Sequence, residues 1–382
     1  MIKLLTVIGA RPQIIKAAAI SRAIKNKFEG IIQEKILHTG QHYDQNMSQV
    51  FIEELGIPQP NYNLGVGSGK HGEQTAKMIA GIEEVLLSEH FDGILLYGDT
   101  NSTLAGAVAA SKIHVPIFHV EAGLRSYNMA MPEEVNRIVC DQLSSILFSP
   151  TETGIRNLKK EGFFESTEKF QNGKYRQVVN CGDVMYDNSL FFSKIAREKC
   201  DILNRLGLTK NGYILSTIHR DNNTDDKKRL TCIFSALLDI TERDKIDIIL
   251  PLHPRTKKLL PTNLEPEIYK RLLSSEKIRI LPPASFFEII ELERNARLVM
   301  TDSGGVQKEA FFFERPCVIL RPETEWVEIV EHGAGIIVDA NYDKIIAAYI
   351  ELTGKKVCFP QLFGDGRAAE HIIETILNYL TK

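Results

Sequence analysis

Cysteine is sparse and scattered in this chain. Six residues, Cys140, Cys181, Cys200, Cys232, Cys317 and Cys358, lie far apart with no CxxC pair. That pattern argues against a disulfide framework and against a zinc site, and it fits reduced thiols in a cytoplasm. Long apolar runs are missing too: none approaches the roughly 20 residues a membrane span needs. The apolar first ten residues run into Arg11-Pro12 with no cleavage site, so a signal peptide is not expected either. Neither charge is in excess, since 49 acidic against 46 basic residues give a net charge of -3. Nucleic-acid binding calls for a basic surplus or stripe and is therefore not expected. Two phosphate fingerprints also fail. Gly9-Ala10-Arg11-Pro12-Gln13 is not GxGxxG and gives no support for a dinucleotide cofactor. In Gly65-Val66-Gly67-Ser68-Gly69-Lys70-His71, Leu64 and His71 stand where a phosphate loop requires Gly and Ser or Thr, so the segment reads as a mobile glycine loop.

What is present is an ordinary globular composition, 43% hydrophobic and 25% charged, spread over 382 residues. That length exceeds what one core usually supports, so two domains are expected. Short β-rich runs at 3–8, 93–97 and 115–120 alternate with helical patterns at 13–26 and 102–112. The alternation predicts parallel βαβ units, and non-alternating apolar strands suit a sheet covered on both faces. The pattern loosens over 161–211, then restarts with strands at 213–218, 246–250, 278–281 and 298–301. We therefore expect an α/β protein of two Rossmann-like, doubly wound parallel-sheet domains. The first is expected over 1–175 and the second over 176–365, with the ligand site in the cleft between them. A last helix, 366–382, follows the turn Phe363-Gly364-Asp365-Gly366 and is suited to pack back on the first domain.

Polar residues gather where these runs end. Asp99, Glu121 and Glu133 each follow an apolar run or a proline, at the sheet edge where ligands bind. Carboxylates gathered there separate in pKa, so that one serves as acid while another is base; singly, each also suits a helix cap or a surface ion pair. Arg11, at a βα turn, offers a planar donor fork to phosphate or carboxylate. Ser303-Gly304-Gly305 after the run 298–301 can hold a diphosphate on backbone N–H groups, and Glu309 can accept from ribose hydroxyls. His219-Arg220 and His253-Pro254-Arg255 each close a strand, suited to phosphates and proton transfer or to structural hydrogen bonds. Pro132 opens a helix on which Glu133 and Arg137 are i,i+4 neighbours, so a helix salt bridge competes for that acid.

Assembled in order, GARPQIIK (9–16), GDTNSTLAG (98–106), HVEAGLRS (119–126), PEEVNR (132–137), SPTETGIRNL (149–158), HR (219–220), HPR (253–255), TDSGGVQKEA (301–310) and FGDG (363–366) resemble the non-hydrolysing UDP-N-acetylglucosamine 2-epimerase family over nearly the whole length. The resemblance implies a GT-B-like pair of domains, a cytoplasmic homodimer, UDP held mostly by the second domain, and no NAD or metal. It further implies that Asp99, Glu121, Glu133 and His219 are catalytic. Arg11, Lys16, Ser303, Gly304, Gly305 and Glu309 match UDP-binding positions, with Arg137 and His253 completing the expected substrate-binding set. The family reaction removes the C2 proton, eliminates UDP to a glycal and re-adds it with C2 inverted. A sensor of nucleotide sugars, a hydrolysing epimerase and a glycosyltransferase are the alternatives. The sensor has no need of four catalytic residues together, and the transferase leaves C2 unchanged.

Departures narrow the expectation. Ala10 and Gln13 replace the family's usual GTRPE residues, and Asp221-Asn222-Asn223-Thr224 replaces HRRE or HREN. Gln41-His42 continues with Tyr43-Asp44 in place of an arginine near the regulatory sugar site, which speaks against activation by substrate. With LPLHPRT, FFFERPC and TEWVE, these changes resemble a subgroup acting on UDP-2,3-diacetamido-2,3-dideoxy-glucuronate. Arg125, Arg137 and Arg321 are the candidates to meet the C6 carboxylate of such a sugar.

Overall fold

The apolar run Ile2–Ile8 forms β1, an interior strand beside the central β4 of a sheet that has seven strands among the described residues, in the order β3-β2-β1-β4-β5-β6-β7. The other strands are β2 (Ile32–His38), β3 (Tyr62–Asn63), β4 (Gly93–Tyr97), β5 (Ile117–Val120), β6 (Ile146–Ser149) and β7 (Gln177–Asn180). All pair in parallel, with Leu4 opposite Gly93 and Thr6 opposite Leu95 at the centre. The computed structural model describes residues 1–41, 57–164, 170 and 174–381. Tyr43 and Asp44, on which the expectation about activation rests, lie outside the described residues.

Helices α1 (Arg11–Lys27), α2 (His71–Ser88), α3 (Asn101–Lys112), α4 (Pro132–Leu143) and α5 (Glu152–Lys160) connect these strands. Leu5, Val7, Ile94 and Leu96 are fully buried against Met78 and Ile82 of α2 and the alanines of α3. The small residues of α3 are a matter of space: a Cβ on Gly106 would lie 2.5 Å from Leu96 Cδ2. Thr100 caps this helix by accepting from the Thr103 N–H.

The second sheet has the order β10-β9-β8-β11-β12-β13, all parallel. Its strands are β8 (Tyr213–Thr217), β9 (Asp247–Pro251), β10 (Ile278–Leu281), β11 (Leu298–Thr301), β12 (Cys317–Ile319) and β13 (Gly335–Ile337). Helix Lys227–Asp244 covers one face with Leu230, Phe234 and Leu237 against Ile214, Ile248 and Met300. Each sheet reverses its strand order beside its first strand, at β1/β4 and at β8/β11, and such a switch point is where doubly wound sheets bind ligands.

The chain divides into Met1–Asn188 with Gln361–Lys382, and Ser189–Pro360. A boundary after residue 175 would have put β7 in the second unit. The division falls later because β7 pairs with β6, Ile146 opposite Gln177. The C-terminal helix Ala368–Thr381 belongs to the first unit and packs on α1. Its first N–H groups, of Ala368 and Ala369, donate to the Asp187 carboxylate at 3.1 and 2.8 Å. Strands β2, β3 and β7 carry no unbroken apolar run and emerge only from pairing, whereas β6, β12 and β13 are apolar runs of only 4, 3 and 3 residues. Among the described residues, no helix is long and apolar enough to cross a membrane.

Candidate active site

At the first switch point β4 ends in Tyr97 and the chain turns through Gly98 with φ +62°. A Cβ at Gly98 would lie 3.2 Å from Lys16 Nζ, so glycine is what lets the α1 lysine come this close. Lys16 Nζ lies 2.7 Å from Glu121 Oε1, with the two side chains 10% and 9% exposed. Glu121 itself has φ +73°, a conformation that costs a non-glycine residue about 1–3 kcal/mol and tends to collect at functional sites. Asp99, the next residue after Gly98, pairs with the buried Arg137 guanidinium. Arg137 therefore turns to Asp99 rather than to its helix neighbour Glu133, which is exposed in the first turn of α4. A cavity of about 720 Å³ opens here, with Arg11, Ser68, His71, Asp99, Glu133 and Asn136 among its lining. The glycine loop that fails as a phosphate motif thus forms one of the cavity's walls.

Behind the cavity lies an ionic network whose centre, His119, Asp141 and Arg125, is buried. His119 Nδ1 donates to Asp141 Oδ1 at 2.7 Å and Nε2 to the Gly98 carbonyl at 2.7 Å, so both ring nitrogens carry protons. Burial alone would lower the His119 pKa, but Cys140 and Asp141 more than offset it and push it up to about 10. Asp141 also accepts from Arg125 Nη2 at 2.7 Å and from the Gly123 N–H at 3.1 Å, and Arg125 forks onto Glu161 at 2.8 Å twice. This network fixes the backbone on both sides of Glu121. Nearby, Glu134 accepts from the N–H groups of Ser126 and Tyr127, at 2.9 Å each, and so holds the loop before α4.

The second switch point is organised by Asp302, which follows β11 and is fully buried. It accepts from the N–H groups of His219 and Arg220 and from Asn223 Nδ2, all at 3.1 Å. His219 Nδ1 also sits 3.1 Å from Asp302 Oδ1 on a half-exposed side chain, so Nε2 is the nitrogen left for a reacting group. Burial would raise the Asp302 carboxyl, but His219 and the other donors hold it below the ordinary range. Ser303 caps the helix Gly304–Phe312 through the Val306 N–H. Beside Gly304 stand Arg321, forked onto Glu325 at 2.8 and 2.7 Å, and Trp326, over whose ring Lys308 Nζ lies at 4.0 Å. His253 closes β9 and accepts from the Arg255 N–H at 3.3 Å, as the cap of the following helix.

Glu293 is a fully buried acid. Its polar neighbour is the Glu309 carboxylate, and burial together with that charge pushes Glu293 well above the ordinary carboxyl range. Glu293 therefore keeps its proton to a higher pH in the folded chain than in the unfolded one, where it ionises near pH 4.3. The folded state thus binds more protons, and stability falls as pH rises above that value. Glu293→Gln is expected to remove this slope, so that urea unfolding at pH 5 and pH 8 differs less in the variant than in the parent chain.

Sequence reasoning placed the acids and the Ser-Gly-Gly turn at the right strand ends but gave Asp302 no role, although its position directly after β11 was the available signal. Each arginine nominated for a sugar carboxylate is paired with an acid of this chain: Arg125 with Asp141 and Glu161, Arg137 with Asp99, and Arg321 with Glu325. Two of the departures from the family pattern, Gln13 and Asn223, are explained by packing. Gln13 accepts from Gly9 and Ala10 N–H at 2.9 and 3.2 Å and donates to the Tyr97 carbonyl and Thr103 Oγ1, both at 3.0 Å, tying β1 to β4. Asn223 donates to Asp302 and the Leu320 carbonyl while accepting from Arg229.

Two doubly wound units, each with polar residues at its switch point, define the GT-B-like class of α/β proteins. Residues 24–377 match the family model described as UDP-N-acetylglucosamine 2-epimerase. The chain belongs to that family. It is 48% identical over 381 residues to the UDP-2,3-diacetamido-2,3-dideoxy-D-glucuronate 2-epimerase of Pseudomonas aeruginosa, covering 100% of this chain and 99% of the relative. It is also similar to the crystal structure of Methanocaldococcus jannaschii UDP-GlcNAc 2-epimerase in complex with UDP-GlcNAc and UDP, with a TM-score of 0.82 and 42% identity over 99% of this chain and 100% of that one. The Neisseria meningitidis UDP-GlcNAc 2-epimerase bound to UDP-GlcNAc gives a TM-score of 0.78 at 26% identity, again over 99% and 100%.

Proposed function

We propose that this chain inverts C2 of a UDP-2-acetamido sugar, making it a UDP-sugar 2-epimerase that serves surface-polysaccharide precursors. The observation that carries the reading is the grouping of Arg11, Asp99 and Glu133 on one cavity, in a unit that also holds the Lys16–Glu121 pair and belongs to a chain of this family. In the first half-reaction a carboxylate takes the C2 proton and the bond from C1 to the UDP oxygen breaks, leaving a glycal and UDP. In the second, the UDP oxygen re-adds at C1 and a proton enters C2 from the opposite face. The C2 proton is weakly acidic, so a positioned base is essential, and inversion requires groups on two faces. Asp99 and Glu121 are the proposed candidates for the base, and Glu133 and His219 complete the proposed catalytic set. Arg11, Lys16, Arg137 and His253, with the Ser303-Gly304-Gly305 turn and Glu309, are the proposed contacts for UDP. Leaving UDP gathers charge on its diphosphate, which helix N–H groups and cations stabilise.

The preferred substrate in this reading is the 2,3-diacetamido-glucuronate nucleotide, supported by the Pseudomonas relative, with UDP-GlcNAc second. The reading includes a cytoplasmic homodimer, supported by the scattered cysteines and the family resemblance. Proton NMR in D2O with each nucleotide sugar tests it. Deuterium at C2 together with a manno-configured UDP-sugar is the expected outcome. Free reducing sugar would identify hydrolysis instead, and absence of C2 exchange with both compounds would overturn the reading.

A further inference from the structure

The cavity at the first switch point is lined by a histidine to which the catalytic scheme gives no task. His71 opens α2, directly after the glycine loop, and its side chain is exposed on the cavity wall. Its tautomer is set by a chain of side-chain amides. Gln74 donates through Nε2 to the Gly67 carbonyl at 2.8 Å and to the Gln41 carbonyl at 3.4 Å. Backbone carbonyls only accept, so the NH2 of Gln74 faces them and its Oε1 faces Asn101. Asn101 must answer with its own NH2, which donates to Gln74 Oε1 at 3.0 Å. An independent anchor reaches the same residue from α4. Asn136 Nδ2 donates to the Asp99 carbonyl at 2.9 Å and to Asn101 Oδ1 at 3.2 Å. Both anchors fix Asn101 in one orientation, and its second amide hydrogen points at His71 Nδ1, 3.1 Å away. Nδ1 is therefore the acceptor and Nε2 carries the ring's hydrogen.

We infer that His71 donates its Nε2–H to an acceptor oxygen of the substrate's sugar, and so is a sugar-contacting, specificity-determining residue of this cavity. The inference rests on the epimerase reading for the identity of the sugar. Two features favour a sugar over the nucleotide as the partner. The cavity presents carboxylates Asp99 and Glu133, which suit hydroxyl groups, beside Arg11, the one proposed UDP contact in its lining. It also lies in the unit that lacks the Ser303 turn. Arg125 and Arg321, two of the arginines that would otherwise meet an anionic sugar substituent, are forked onto acids, which leaves a donor role on the sugar for His71 to fill.

The test uses the full chain, with His71→Phe and His71→Gln beside the parent. Loss of one hydrogen bond that leaves a bound oxygen unsatisfied corresponds to about a tenfold fall in kcat/KM, and the larger part is expected in KM. The glutamine, which carries an amide donor, is expected to restore a substantial share. Affinity for UDP alone should stay within a few-fold. A larger KM effect for the uronate nucleotide than for UDP-GlcNAc assigns the contact to the C6 carboxylate, and an equal effect assigns it to an oxygen the two share. Nitrogen-15 NMR of the histidines supplies a separate readout, with an unprotonated Nδ1 and protonated Nε2 expected for His71. Unchanged KM values in the phenylalanine variant, or a loss of UDP affinity as large as the loss in KM, would overturn the inference. A parent chain that exchanges neither sugar's C2 proton sinks the epimerase reading instead, and the two failures are told apart by that control.

Discussion

Asp99→Asn is expected to lower kcat by about 10²- to 10⁴-fold, the usual worth of a positioned acid or base, while UDP binds within a few-fold of the parent. The structure makes this an informative substitution. Asn keeps the size of the side chain and one oxygen for Arg137, so the α4 contact has a partner left, but it cannot take a proton. Asn136 continues to hold the Asp99 carbonyl at 2.9 Å, so the backbone turn is anchored independently of the changed group. Of the proposed UDP contacts, Arg137 meets the changed group and keeps an oxygen partner, while those at Ser303 and its neighbours lie in the other unit. Initial rates by C2 proton exchange, with UDP binding by calorimetry, check both halves. Retained turnover would remove Asp99 from the mechanism. Equal loss of turnover and UDP affinity would make it a binding group.

The largest effect on stability is expected from Asp141→Asn. Among the described residues this carboxylate is the only acid that meets both His119 and Arg125, all three side chains being essentially dry. Breaking a buried pair by neutralising one member costs about 3–5 kcal/mol, because the opposite charge is left uncompensated. His119 is the group that suffers, since Arg125 keeps Glu161. The pH dependence carries the same signature. The folded His119 pKa, about 10, lies above its unfolded value near 6.5, so the stabilisation is complete below the unfolded value and is lost as pH rises through the folded one. Thermal unfolding between pH 6 and 10 should show the parent weakening with pH. The variant should start lower and weaken less. A variant as stable as the parent at pH 7 would show that the network adds nothing.

Much of the fold was legible because its sheets are parallel and buried. Strands such as Gly93–Tyr97 and Leu298–Thr301 are covered on both faces and read as unbroken apolar runs, and the residues directly after them fall at the ligand edge by geometry. That is why Asp99, His219 and Ser303 stand out. The rest depended on partners distant in sequence. β7 is half-exposed and carries no run, so only its pairing with β6 reveals it. His119 and Asp141 are 22 residues apart, and Asn101 and His71 are 30 apart. No local pattern announces such contacts. Glu134 shows the reverse hazard, since beside Glu133 it looks equally catalytic and is in fact spent on two backbone N–H groups.

The capping of helix Ala368–Thr381 by Asp187 also bears on how the chain assembles during synthesis. Residues 189–360 have every strand of their own sheet once β13 has left the ribosome and can close early. The first unit, though started earlier, has α1 without this packing partner until helix Ala368–Thr381 arrives. Domains usually mature in the order of translation. Here the unit with the carboxylates is begun first and finished last.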